Sequence, residues 1–191
     1  MGVEGNRVVD SGQSIPTVDS LLAGQVEDEA RPPFRGSFSH QLDSKGRINI
    51  PIGYRCLIEE MGSAELVVTN YICDGSRCLE AFPLATWKTF EKRISKLSRF
   101  DARLKTLENY YLSRASMCSL DTSGRILLPA HLRDYAGLKS EVTFTSGLRG
   151  FRIWNSTVWT HVFEKAEAAL LENPDLFSGI DLAGLISEEG S

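Results

Sequence analysis

Residues 42–47 read Leu-Asp-Ser-Lys-Gly-Arg, and residues 120–125 read Leu-Asp-Thr-Ser-Gly-Arg. The match continues downstream. Ile48 meets Ile126, Pro51 meets Pro129, and Arg55 meets Arg133. After small length changes, Ala-Phe-Pro-Leu-Ala-Thr-Trp at 81–87 parallels Ile-Trp-Asn-Ser-Thr-Val-Trp at 153–159. Two copies of one structural unit account for this pattern.

Each copy translates into the same string of elements. Ser37 to Leu42 and Met117 to Leu120 alternate as strands that lead into a turn. In Asp-Ser-Lys-Gly and Asp-Thr-Ser-Gly the aspartate accepts from backbone N–H groups two residues on, and glycine supplies a positive φ. Asp43, Gly46, Asp121 and Gly124 are therefore expected to shape the turns. Arg-Ile-Asn-Ile-Pro and Arg-Ile-Leu-Leu-Pro are short return strands, each stopped by proline. A helix is expected after each proline, over 52–60 and 130–136, with Gly62 and Gly137 as stops. Residues 65–69 pair with 78–82, and 141–145 with 151–154, across glycine-containing turns.

Helical sequence lies between the copies. Trp87, Phe90, Ile94 and Leu97 recur at helical spacing, and Leu104, Leu107 and Tyr111 resume after a break. Ser98-Arg-Phe-Asp101 has the form of a capping box, which starts a second helix there. A last helix, about 156–171, carries Trp159, Val162, Phe163, Ala166 and Leu170 on one face. The expected fold class is α+β, with two small sheet units joined by a helical hairpin.

The 191 residues suit one domain or two small ones, and 42% hydrophobic content suffices for a core. No apolar run approaches the roughly 20 residues of a membrane span. Residues 1–33 lack the apolar run of a signal peptide and read as a disordered acidic leader. Residues 173–191 read as a flexible acidic tail with one weak apolar cluster. Four cysteines form no disulfide framework, so the expectation is a reduced, cytoplasmic chain. The formal charge of −4 conceals an uneven distribution. The leader and the tail each carry a net −4, and residues 34–172 carry a net +4.

Enzymatic chemistry finds little support. His40, His131 and His161 stand in no metal or nucleophile motif, and Cys73-x4-Cys78 has no second pair at ligand spacing. There is no phosphate-binding glycine loop. We therefore expect no catalysis, cofactor or metal. Cys56, Cys73, Cys78 and Cys118 read as buried or partly buried thiols, and Trp87, Trp154 and Trp159 as core or interface residues.

Phe34-Arg-Gly, the two Leu-Asp-x-x-Gly-Arg-Ile stretches with their prolines and arginines, Ala136-Gly137-Leu138 and the Trp154…Trp159 pair together resemble the MraZ family over about 34–170. That resemblance implies two tandem AbrB-like swapped-hairpin units forming one pseudo-symmetric barrel. It divides the chain into a first repeat at 34–83, a helical linker at 84–113, a second repeat at 114–157 and a C-terminal helix at 158–172. It also implies a bacterial transcriptional regulator that binds short G-rich direct repeats in double-stranded DNA. The family assembles as a homo-oligomeric ring at the nucleoid, usually represses the division and cell-wall gene cluster containing its own gene, and has no membrane partner. The acidic leader departs from the family pattern, whose members begin near the Phe-Arg-Gly. Either the true start lies downstream, or the leader is an added disordered arm, which would compete electrostatically with DNA for the basic face.

On this reading Arg47 and Arg125 contact guanine, since a guanidinium meets O6 and N7 in a bidentate manner. The plainer alternative is a salt bridge from each to Asp43 or Asp121. Arg35 and Lys45 are expected on phosphates. Ser123 stands where the first copy has Lys45, so the first copy should face DNA more strongly. The rival from another class is a ring-forming protein-interaction module without specific DNA binding.

Overall fold

A computed structural model describes residues 34–97, 102–147 and 149–178. The leader 1–33, the Ser98–Asp101 capping box and the tail beyond 178 lie outside the described residues.

The first repeat contributes β1 (Phe34–Gln41), β2 (Arg47–Asn49), α1 (Ile52–Glu60), β3 (Glu65–Cys73) and β4 (Ser76–Pro83), and is followed by α2 (Leu84–Ile94). A linking helix, α3 (Ala102–Tyr110), and a 3-10 turn at Leu112–Arg114 come next. The second repeat contributes β5 (Ser116–Ser119), β6 (Arg125–Leu127), α4 (Ala130–Tyr135), β7 (Glu141–Gly147) and β8 (Phe151–Asn155), and is followed by α5 (Ser156–Glu172).

The strands do not form two separate sheet units. They form one six-stranded sheet in the order β1-β7-β8-β4-β3-β5, and a two-stranded ribbon of β2 and β6. All the pairings are antiparallel. The described residues form no closed barrel. The sheet stays open among the described residues, and an isolated bridge from Leu42, just past β1, to Ile48 ties it to the ribbon. Each repeat keeps its own β3–β4 or β7–β8 hairpin. Its first strand, however, pairs with the other repeat: β1 with β7, and β5 with β3. An edge strand leaves backbone groups unpaired, and this cross-pairing satisfies one side of β7 and β3.

The sheet is the middle of three layers. Leu66, Val68, Leu79, Phe144 and Ile153 point to one side, onto α1, α4 and the inner face of the ribbon. Val67, Tyr71, Phe82 and Trp154 point to the other side, onto α2, α3 and α5. Burial on both faces explains the near-continuous apolar and β-branched sequence Leu-Val-Val-Thr in β3. Three helices begin immediately after a proline whose φ already suits the entry, Pro51 (−51°), Pro83 (−54°) and Pro129 (−56°). Gly62 and Gly137 take positive φ just past the ends of α1 and α4.

Trp87 and Trp154 are buried, and Trp159 is partly buried beside Trp154. The apolar stripe of α5 is only partly covered. Val162 is buried, while Phe163 is 54% exposed and Leu170 also faces solvent. Beyond Val162 every residue of the helix is exposed among the described residues, and Phe163 touches the Trp159 ring at its margin. The thiols are all free, and the expectation of burial fails for Cys56, which lies on the outer side of α1.

Candidate nucleic-acid interface

The ribbon is built around one residue pair. Ile48 stands opposite Ile126, and both side chains are buried against the sheet. Side chains alternate along a strand, so the residues flanking these isoleucines face the other way. Arg47 stands opposite Leu127, and Asn49 opposite Arg125. These four side chains share the outer face, at cross-strand and same-strand neighbour distances of about 5–8 Å. Asn49 and Leu127 are exposed, and the two arginines half-exposed.

The preceding turns fix the arginines. Asp43 Oδ1 accepts from the N–H of Lys45 (2.9 Å) and of Arg47 (2.8 Å), and Oδ2 accepts from Arg47 Nε (2.7 Å). Asp121 repeats the pattern, with Oδ1 accepting from the N–H of Ser123 and of Arg125 (2.9 Å each) and Oδ2 from Arg125 Nε (2.9 Å). The backbone N–H of the following arginine, aided by its side chain, holds each carboxyl below the usual aspartate range. Each arginine is thus in a salt bridge to the aspartate of its own turn, with its side chain still 37% (Arg47) or 33% (Arg125) exposed. The carboxylate grips the Nε edge and orients the rest of the group.

The tips are locked across the repeats. The Ile50 N–H donates to Gly124 O (3.0 Å), and the Leu128 N–H donates to Gly46 O (2.9 Å). Gly46 and Gly124 have φ of 83° and 72°. Both are buried, and a Cβ on Gly46 would collide with the Arg133 side chain, one on Gly124 with the Arg55 side chain. Arg133 Nε donates to Leu128 O (3.1 Å). Its counterpart Arg55 Nε is buried with no hydrogen-bond partner among the described residues. Arg55 and Arg133 thus brace the turn of the other repeat. The repeat alignment marks the two arginines as equivalent, but the tertiary contact alone shows that they cross over.

The predicted residues are not all brought together. Arg47 and Arg125 share the ribbon face, and Lys45 is exposed at the first turn. Arg35 is exposed near the opposite end of the eight-residue β1, on the order of 20 Å along the strand from that turn. Sequence reasoning missed Asn49 and Leu127. A polar residue and a leucine between buried positions carry no signal of their own until β2 is known to pair with β6.

Among the described residues, no group of three or more His, Cys, Asp and Glu is placed to hold a metal ion. No helix among them is long and apolar enough to cross a membrane.

The fold and ribbon define a tandem-repeat α+β protein that presents a pair of buttressed arginines on a two-stranded antiparallel ribbon. The MraZ protein family model matches twice, over residues 34–109 and 111–175, and the chain belongs to that family. It is 39% identical over 132 residues to the transcriptional regulator MraZ of Histophilus somni strain 129Pt, covering 69% of this chain and 86% of that protein. The proteins of the same name from Syntrophobacter fumaroxidans and Nitrosomonas eutropha are 34% and 37% identical. Those alignments cover 68% and 71% of this chain, and 83% and 89% of the relatives.

Proposed function

We propose that this protein is a sequence-specific DNA-binding transcriptional regulator that lays the β2–β6 ribbon into the major groove. The observation that carries this reading is the outer ribbon face, where Arg47 and Arg125 are half-exposed and each is held by an aspartate. The major groove, about 12 Å wide, admits a two-stranded ribbon. Each guanidinium meets O6 and N7 of a guanine. Lys45, at the tip of the first turn, contacts phosphate. Arg35 lies far along β1 and touches only the backbone of flanking DNA. The names of the relatives support the regulatory role.

The two repeats act as tandem AbrB-like units of a swapped-hairpin kind, over 34–83 and 114–157. The pairing of β1 with β7 and of β5 with β3 supports that view. Copies of the chain form a ring on short G-rich direct repeats and repress the division and cell-wall gene cluster that includes the protein's own gene. Weak sites gain avidity when operator spacing matches subunit spacing. The protein works in the cytoplasm at the nucleoid, and the acidic leader 1–33 competes with DNA for the basic face.

The uncovered apolar side of α5 favours a second reading, a ring-forming interaction module. Fluorescence-anisotropy titration separates the two. Wild type and Arg47→Ala are compared on DNA from upstream of the protein's gene and on a scrambled duplex, at two salt concentrations. The regulator reading expects a preference for the upstream duplex, which Arg47→Ala reduces by about 1–3 kcal/mol. Folded, oligomeric protein that binds neither duplex overturns it in favour of the interaction module.

A further inference from the structure

The outer face of the ribbon is not symmetric, although its frame is. The local axis passes through the Ile48–Ile126 pair, exchanging Arg47 with Arg125 and Asn49 with Leu127. One half of the face therefore offers an arginine opposite a leucine, and the other an arginine opposite an asparagine. Leu127 is 56% exposed, whereas its neighbours Ile126 and Leu128 are fully buried. This large apolar side chain, beside two arginines and an asparagine, lies outside both hydrophobic clusters of the described residues.

The chemistry of the two residues differs in a way that bases distinguish. A carboxamide offers one donor and one acceptor, the complement of N7 and N6–H2 of adenine in the major groove. A leucine has no polar atom and complements the C5-methyl group of thymine. From this juxtaposition we infer that Asn49 and Leu127 are specificity-determining residues. Asn49 reads an adenine beside the guanine taken by Arg125, and Leu127 covers a thymine methyl beside the guanine taken by Arg47. The sequence under one ribbon is then not palindromic, and each subunit sits on DNA in one preferred orientation. The inference rests on the DNA-binding reading above and deepens it.

The test uses the full chain and removes single atoms from the DNA. Selection from randomised duplexes with wild type defines the preferred site. That duplex is then remade with one substitution at a time: 7-deazaadenine for adenine, deoxyuridine for thymine, 7-deazaguanine for guanine. Each is titrated with wild type, Asn49→Ala, Leu127→Ala and Arg47→Ala. Wild type should lose about fivefold or more in affinity at one 7-deazaadenine, a change to which Asn49→Ala is indifferent. It should lose about fourfold where one thymine lacks its methyl, a change to which Leu127→Ala is indifferent. Both side chains are exposed, so the variants should unfold at the wild-type temperature.

The inference requires both couplings. Variants that respond to the modified bases as wild type does, or that lose affinity equally for every duplex, overturn it. If Arg47→Ala is indifferent to one 7-deazaguanine while Asn49 and Leu127 couple to no base, this inference fails and the DNA-binding reading stands. If folded wild type selects no sequence at all, both fall.

Discussion

The two repeats meet twice on a local axis, and the two meetings differ. In the ribbon the self-facing position holds isoleucine in both copies, Ile48 against Ile126. In the large sheet the self-facing position is residue 80 of the first copy and residue 152 of the second, which pair directly between β4 and β8. There the copies have diverged into Glu80 and Arg152, buried and partly buried, with Arg152 Nε 3.6 Å from Glu80 Oε1. Arg152 also lies over the Tyr71 ring, 4.8 Å from its centroid. A dimer of two identical repeats would oppose like charges at this position, which is destabilising. Tandem duplication in one chain removes that constraint, since opposite charges can occupy the two sides of the axis. The ribbon keeps its symmetry at the buried isoleucines and at the two arginines, and loses it at Asn49 and Leu127.

The largest way to break this comparison is at the sheet axis. Glu80→Leu leaves the Arg152 charge without its carboxylate and should cost about 3 kcal/mol in urea unfolding. Exchanging the pair, Glu80→Arg with Arg152→Glu, should restore most of that loss if the axis alone matters. A double variant as unstable as the single one would show that the surroundings of each side chain, including Tyr71, have become specific.

The turns come next. Gly124→Ala and Gly46→Ala each place a Cβ at positive φ and against an arginine of the other repeat, and each should cost about 1–3 kcal/mol in thermal or urea unfolding. The approach of the Arg55 side chain to Gly124 is the closer of the two, so Gly124→Ala should be the worse. Adding Arg55→Ala should recover part of the loss, and the absence of any recovery would assign the whole cost to backbone strain.

Binding should separate the halves by less. Arg47→Ala should reduce specific affinity more than Arg125→Ala, because Lys45 stands at the first turn and Ser123 at the second. Equal losses in anisotropy titrations would mean that both halves face DNA alike. The smallest effect belongs to Lys45→Ala, which should weaken binding to all sequences and reduce the salt slope by about 1. A change in base preference instead would move Lys45 from phosphate to base.

Much of this was legible because it depends on neighbours in sequence. The Asp-x-x-Gly-Arg turns close through hydrogen bonds spanning two to four residues, so residue type and spacing suffice to place them. Likewise α1 and α4 follow from Pro51 and Pro129 at their entries and Gly62 and Gly137 at their exits. Asn155 caps α5 through its side-chain oxygen, which accepts from the Thr157 N–H at 3.0 Å, where Pro83 opens α2 in the first copy. Pairing between distant strands has no such local signal. A hairpin that returns to its own repeat and one that crosses to the other have the same alternation, so two separate sheet units were as compatible with the pattern as one shared sheet.

The amino-acid sequence by itself determined that there are two copies, where each turns, and which arginine follows each turn. Only the tertiary structure decided that β2 meets β6, that Asn49 and Leu127 join the two arginines on one exposed face, and that Arg35 stays far from it. Turn chemistry acts over a few bonds. Which strand edge satisfies which is settled by burying the isoleucines, leucines and aromatics of both copies in one core, a choice made by the whole chain at once.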